Sequence, residues 1–340
     1  MYAALIENSS ITYAQAPEPS ISGDDILVKV ETAGLNAADI LQVAGYYPPP
    51  PGTVEDIPGL EYCGTVEKMG VNVTTFKIGD RVMGLTAGGA HAEKLSVNAA
   101  TALLVPDILG KKAGGFSEAF FTAYDALVLK AGLKAGESLL ITGAAGGVGM
   151  AATQLGIAWG CQVTSSVKTE STRKRFEAYF TGHKNVISSQ RDTHDSLQIA
   201  FRNGAQLTVS TPETEHLYRE YDIFLELLAG AHLTKDLAMA KKGARIAIIG
   251  LLEGTSCEID LSQLLKKHVA IFGSTLRSRP LEEKAFLTEH VRQYLLPLVI
   301  NKDLDIMIDS SFPLREVERA YYHFKNGKKL GKILLEIDEH

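Results

Sequence analysis

Residues 138–149 read Ser-Leu-Leu-Ile-Thr-Gly-Ala-Ala-Gly-Gly-Val-Gly, an apolar run that passes directly into a glycine-rich turn and then into a small-residue segment, Met150 to Trp159. A strand, a tight turn and a helix in that order form a cradle for phosphate. Gly143 permits the turn, Gly146 removes the side chain that would hold a pyrophosphate away from the backbone, and Gly149 lets the helix lie close to the strand. The free N–H groups at the helix start then face the negative charge of the ligand. The spacing Gly143, Gly146, Gly147, Gly149 is a variant of G-x-G-x-x-G, a pattern only moderately specific by itself.

The next strand, Cys161 to Val167, ends about 20 residues beyond the first glycine, where a dinucleotide enzyme reads the ribose 2′ position. An NAD site offers Asp or Glu there. This chain offers Ser165, Ser166 and Lys168, with Arg173 one turn into the following helix. Hydroxyls and cations suit a 2′-phosphate, so NADPH is the expected cofactor. Lys168 and Arg173 also read as an ordinary solvated helix start, and Glu170 beside them works against the phosphate reading.

A chain of 340 residues exceeds what one core usually organises. Up to about residue 105 it carries short alternating runs broken by Gly and Pro, at Ile26–Thr32, Gly64–Met69, Arg81–Leu85 and His91–Val97, the pattern of a small antiparallel β domain. From Ser117, helix-length segments alternate with compact strands at Leu139–Thr142, Val163–Val167, Asn185–Ile187, Ile223–Leu227, Arg245–Ile249 and Val269–Phe272. Such alternation predicts a parallel sheet covered by helices. A helix over Leu281–Val299 and a β-rich stretch from Ile306 to Glu336, ending in the strand Lys332–Ile337, return to the first style. The fold class is therefore α/β, with a doubly wound parallel-sheet domain over 117–275 and a mostly antiparallel β domain built from 1–116 and 276–340. Residues 190–220 are polar and weakly periodic, and a strand at Gln206–Ser210 is only faintly marked.

A net charge of −6 gives no overall electrostatic reason to bind nucleic acid. No apolar stretch is long enough to cross a bilayer. Cys63, Cys161 and Cys257 stand far apart, and Met1 to Glu7 reads as a first strand rather than a leader, so a disulfide framework is not expected and the cytoplasm is. Catalytic zinc needs three converging ligands, whereas the positions that could converge carry Ala37, Leu60 and Glu61, with Cys63 and His91 isolated; no metal is expected. Gly-x-Ser-x-Gly is absent, which leaves hydrolysis without support. Hydride transfer needs no protein nucleophile. Val269–Phe272 would be the last strand of its sheet, and an apolar edge is normally covered, so a two-fold homodimer through that edge is expected.

Two polar residues stand out in the β domain. Asn36 reads as an N-cap with Asp39 three residues on, or as an amide set against a nicotinamide or substrate carbonyl, and both can hold. Tyr46 and Tyr47 precede four prolines that stiffen the loop. A tyrosine so placed can hydrogen-bond a substrate oxygen, or simply pack on the surface.

Across nearly its whole length the chain resembles the zinc-free quinone oxidoreductase branch of the medium-chain dehydrogenase/reductase superfamily, with its GroES-like first domain. The motifs are Gly34-Leu-Asn-Ala-Ala-Asp39, Gly45-Tyr-Tyr-Pro-Pro-Pro50, Pro58-Gly-Leu-Glu-Tyr-Cys-Gly-Thr-Val66, Ile78-Gly-Asp-Arg-Val82, Gly143 to Gly149, Gly273-Ser-Thr-Leu-Arg-Ser-Arg279 and Leu330-Gly-Lys-Ile-Leu-Leu335. The run ending at Arg279 is similar to the p53-inducible quinone oxidoreductase-like subgroup. The resemblance implies NADPH between the domains, with Ala144, Gly146, Gly147 and Val148 at the pyrophosphate and Ser166 or Lys168 near the 2′-phosphate. It implies Gly250, Leu251, Leu276, Arg277 and Ser278 along the nicotinamide half, with Lys332 close behind, and Asn36 and Tyr47 as polar cleft positions. The reaction implied is reduction of a quinone, often by one electron, or of a carbon–carbon double bond conjugated to a carbonyl. In the second case hydride reaches the β-carbon, Asn36 or Tyr47 meets the developing oxygen charge, and the proton comes from solvent. An enoyl-thioester reductase would need a basic channel, for which only Arg277, Arg279 and the Lys325–Lys332 cluster offer themselves; a non-catalytic NADPH-binding module is the reading from another class. Two departures from the family are Ser188-Ser189, where relatives often carry Asn-Tyr after the third strand, and Glu226 in the fourth-strand run, which retains Asp222.

Overall fold

Alternation with a period of two makes strands of the N-terminal third. In the computed structural model, which describes residues 1–191, 196–212, 214 and 220–337, β1 (Tyr2–Glu7) and β2 (Ser10–Gln15) form a hairpin. There follow β3 (Asp25–Leu35), α1 (Ala37–Val43), β4 (Glu61–Met69), β5 (Arg81–Leu85), β6 (Lys94–Asn98) and β7 (Ala102–Leu104). The chain forms two units, Met1–Phe121 together with Leu276 onward, and Thr122–Thr275; it passes from the first to the second within α2 (Ser117–Tyr124).

The second unit runs β8 (Ser138–Ile141), α3 (Gly147–Ala158), β9 (Gln162–Ser166), α4 (Glu170–Thr181), β10 (Val186–Arg191), β11 (Leu197–Phe201), β12 (Gln206–Ser210), β13 (Tyr221–Glu226), α5 (His232–Met239), β14 (Ala240–Ile248), α6 (Leu261–Lys267) and β15 (Ala270–Gly273). Its sheet has the order β10-β11-β12-β9-β8-β13-β14-β15. From β12 to β15 every pairing is parallel, and numbering those strands from β8 gives 3-2-1-4-5-6, the doubly wound order. Leu140, Phe224 and Ile246 from three adjacent strands anchor one of its cores.

The third parallel strand is not where the sequence pattern indicated. Asn185–Ile187 was the expected segment, yet β10 pairs antiparallel with β11 (Ser189↔Ile199), and β11 pairs antiparallel with β12 (Leu197↔Val209). Gln206–Ser210, only faintly marked, takes the central place beside β9, with Ser210 opposite Ser166. Burial explains the exchange. A parallel strand is covered on both faces, and β12 is buried from its second residue on, whereas β10 is exposed from its second residue on. Ser188 and Ser189 therefore lie on an outer strand, and the residues that follow the third parallel strand are Thr211 and Pro212. Of the poorly patterned stretch 190–220, residues 192–195, 213 and 215–219 lie outside the described residues.

The return segment adds α7 (Leu281–His290), α8 (Leu296–Ile300), β16 (Ile308–Pro313), α9 (Val317–Asn326) and β17 (Lys332–Glu336). The expected single helix over Leu281–Val299 is divided by a wider π turn at Val291–Leu295, just ahead of Pro297, whose missing N–H cannot continue an α ladder. β17 joins the edge of β3 antiparallel (Leu334↔Gly34), with β16 outside it, giving the order β16-β17-β3-β4-β5-β7 with β6 also on β3. Ile26, Val28, Tyr62, Val82 and Leu95 fill the core of this sheet.

Candidate functional site

All four residues of β8 are buried, and the strand delivers the chain at Thr142 into the glycine turn. Gly143 takes φ +61°, which a side chain disfavours. A Cβ on Gly149 would lie 2.5 Å from the Cα of Ala144, so α3 and the turn are in contact there. Gly146 is different: a Cβ would meet nothing closer than the Gly143 oxygen at 3.9 Å, and would project into the open space of the turn. The first bond of α3 runs from the Met150 N–H to the Gly146 carbonyl at 2.9 Å. The N–H groups of Gly147, Val148 and Gly149 precede it, and no side chain caps Gly146. Ala144 serves the turn itself, its N–H bonding the Ser166 carbonyl at 2.9 Å. Free donors, an unobstructed approach and no acid between 143 and 149 fit a dinucleotide pyrophosphate.

Buried Glu226 secures the adjoining strand end. Its Oε1 accepts from the Thr142 hydroxyl and the Ala229 N–H, each at 2.7 Å, and the Leu227 N–H donates to the same hydroxyl at 3.0 Å. Gly250 lies against this segment, where a Cβ would come within 2.4 Å of the Leu227 oxygen, and Leu251 beside it is exposed.

The four residues expected at the ribose divide into two pairs. Ser165 shares a hydrogen bond with Thr153 of α3 at 2.8 Å, inside the domain. Arg173 is buried and gripped by two carboxylates, donating to Glu170 at 2.7 and 2.9 Å and to Glu177 at 2.8 Å. The polar atoms of both already serve α3 and α4. Ser166 closes β9 and Lys168 is exposed two residues on, with no ion pair among the described residues. Glu170, the acid that works against a phosphate here, is bound by Arg173.

In the other unit, the end of β3 sets Asn36 at the start of α1. The helix cap is made by Asp39, whose carboxylate accepts the N–H groups of Asn36 at 2.7 Å and Gly59 at 3.0 Å. The Asn36 amide is used otherwise. Its Oδ1 accepts from the Lys332 ammonium at 2.6 Å, and its Nδ2 donates to Glu61 at 3.1 Å and to the Gly34 carbonyl at 3.3 Å. Lys332, buried, also donates to the Leu35 carbonyl at 3.1 Å and is ion-paired with wholly buried Glu61. The second oxygen of Glu61 accepts the Glu118 N–H at 2.9 Å, in the first turn of α2.

His91 belongs to the same buried group. Nε2 lies 3.2 Å from the Gly34 carbonyl, which can only accept, so Nε2 carries the proton and Nδ1 accepts from the Tyr321 hydroxyl at 3.0 Å. Burial holds its pKa below the usual histidine range, against the pull of Asp39. Burial also pushes the Cys63 thiol up to about 12. Among the described residues no three of His, Cys, Asp or Glu gather as a metal site.

Tyr47 is half-buried and held from behind by Arg277. The guanidinium donates to the Tyr47 carbonyl at 3.0 Å, the Ala87 carbonyl at 2.8 Å and Gln42 Oε1 at 2.6 Å, and lies 5.4 Å from the Tyr47 ring centre. Arg277, expected along the nicotinamide, is thus engaged by its own unit and positions the Tyr47 loop. Leu276 is buried and Ser278 exposed on either side of it. Burial, and then the charge of Glu118, raise the Tyr47 pKa, so its hydroxyl stays protonated.

Glu118 is a residue that sequence reasoning missed. It is half-buried, and among the described residues its carboxyl makes no hydrogen bond or ion pair. Desolvation first, and the neighbouring Glu61 second, push it up to about 8. The one signal was an acid directly before the apolar run Ala119-Phe-Phe121, which reads equally as a favourable charge at a helix start.

Residues 22–132 match the family model of the alcohol dehydrogenase GroES-like domain, and residues 147–292 that of the zinc-binding dehydrogenase. The human quinone oxidoreductase is 31% identical over 324 residues, covering 91% of this chain and 88% of its own. The chain belongs to the quinone oxidoreductase family of medium-chain dehydrogenases/reductases. This quinone oxidoreductase family member is accordingly an oxidoreductase, and its GroES-like and doubly wound domains are those the sequence led us to expect. The quinone oxidoreductase from Thermus thermophilus, described with its NADPH complex, is 26% identical with a TM-score of 0.79 over 99% of this chain and all of its own. An alcohol dehydrogenase superfamily protein from Novosphingobium aromaticivorans, 24% identical, shares the fold with a TM-score of 0.81 over 99% of this chain and 100% of its own.

Proposed function

We propose that this family member is an NADPH-dependent reductase of quinones or α,β-unsaturated carbonyls that works without a metal. The observation that carries this reading is the glycine turn, where three first-turn N–H groups stand uncapped and a side chain on Gly146 would meet nothing closer than the Gly143 oxygen at 3.9 Å. When bound, NADPH supplies the hydride or electrons. Gly147, Val148 and Gly149 hold its pyrophosphate, Lys168 with Ser166 meets the 2′-phosphate, and Gly250 and Leu251 flank the nicotinamide half.

In the GroES-like unit, Tyr47 is the donor for the acceptor oxygen, because both hydrogens of the Asn36 amide are already engaged. Asn36 holds Lys332 and Glu61 in register. The buried Lys332 ammonium already provides the positive charge that a metal would bring, and it repels a second cation. Because Arg277 is engaged by Gln42, Tyr47 and Ala87, a basic channel for a carrier phosphate loses one of its two arginines, which favours a small acceptor. The exposed edge of β15 is the surface through which two copies pair.

The test compares NADPH with NADH oxidation by the purified protein, using a 1,2- or 1,4-quinone and a small enone, alongside Lys168→Glu. Turnover should favour NADPH, and the variant should lose that preference. Equal use of both nucleotides by the unaltered protein would remove the phosphate assignment, and no turnover with any acceptor would remove the reductase.

A further inference from the structure

We propose that Glu118 is the proton donor of this protein, delivering its carboxyl proton to the acceptor directly or through Tyr47. The proposal rests on the reductase reading above and departs from a solvent proton. The Glu118 backbone is fixed, since its N–H bonds Glu61 at 2.9 Å, while its side chain has no partner among the described residues. A half-buried carboxyl left unpaired beside a buried carboxylate keeps its proton, and desolvation and Glu61 push it up to about 8. A residue held at that value donates a proton at neutral pH and recovers it from water.

The groups around it agree. Lys332, Arg277 and Lys284 act to ionise Glu118, whereas Glu61 and Asp39 act to keep it neutral. Burial and the two carboxylates prevail. Tyr47, within electrostatic reach, is a poor acid alone, so a proton that leaves its hydroxyl must be replaced by a stronger donor. Among the described residues the other acids of this cluster are engaged: Glu61 is ion-paired with Lys332, and both oxygens of Asp39 accept backbone N–H groups.

An enone that receives hydride at its β-carbon shifts its double-bond pair to join the α-carbon and the carbonyl carbon, and the carbonyl pair moves onto oxygen. The enolate oxygen takes the Glu118 proton, directly or through Tyr47, the enol so formed tautomerises to the saturated ketone, and the carboxylate left behind is reprotonated from solvent.

The experiment uses the whole protein and Glu118→Gln, which removes no hydrogen bond of the fold. Infrared difference spectra of the free protein, titrated from about pH 6 to about pH 10, should show a protonated carboxyl that ionises near 8 and is absent from the variant. Enone reduction under saturating NADPH should slow as pH rises through the same value, and the variant should be roughly a hundredfold slower with that inflection gone. A carboxyl already ionised at the acid end overturns the proposal, as does a variant that keeps the inflection. If the unaltered protein does not oxidise NADPH at all, the reductase reading falls first and takes the donor role with it.

Discussion

Residues that look alike in the glycine turn have separable duties. Gly146 has an ordinary backbone (φ −76°) and an open side-chain direction, whereas Gly149 is closed off by the Ala144 backbone. Gly146→Val should leave thermal stability within about 0.5 kcal/mol while abolishing saturable NADPH binding, read by Trp159 fluorescence. Gly149→Ala should cost about 1–3 kcal/mol in a urea melt, because α3 must move. Lys332 tests the buried charge of the other unit. Lys332→Met leaves Glu61 uncompensated and should lose about 3–5 kcal/mol, while adding Glu61→Leu to it should restore part of the loss in the same melts.

Elements were legible where burial and pattern agree. β8, the glycine turn and β9 could be read directly because a buried strand, a turn and a helix each leave their own periodicity. The third parallel strand could not. β12 begins with Gln206 and holds Thr208 and Ser210, too polar to announce a central strand, while Val186 and Ile187 open β10 with two apolar residues on a strand that is nearly all exposed. In the site, residue types showed that Asn36 and Arg277 were polar and well placed, but not that Lys332 and Gln42 would claim them, since those contacts join residues separated by most of the chain. Glu118 was illegible for a related reason: burial first, and the neighbouring Glu61 brought in from another element second, make it more than a helix-start acid. At this scale β15 offers the testable edge. Ala270→Lys, at an exposed position, should convert a dimer to a monomer in sedimentation velocity at micromolar concentration without altering the melt; an unaltered protein that sediments as a monomer would dismiss the β15 pairing.

At the scale of the whole molecule, acid and base attack different groups. The native pKa of His91 lies below the unfolded value near 6.5, so the unfolded chain binds the extra proton and stability is lost as pH falls through that region. Glu118 works in the opposite sense. Its native pKa of about 8 exceeds the unfolded 4.5, so its contribution is complete below 4.5 and drains away as pH rises to about 8. Glu118→Gln lacks that loss, and its melting temperature should gain on that of the unaltered protein as pH climbs, the two curves running parallel above about 9. The chain's return to its first unit bears on the order of synthesis. β17 supplies both the strand beside β3 in the first sheet and the ammonium that balances Glu61, and Arg277 fastens a loop made more than two hundred residues earlier. A ribosome releases the chain from its N-terminus, and domains ordinarily fold as they emerge. Here the earlier unit waits with an unbalanced carboxylate and an unfastened loop, while the nucleotide domain, although later on the chain, has all its strands in hand first.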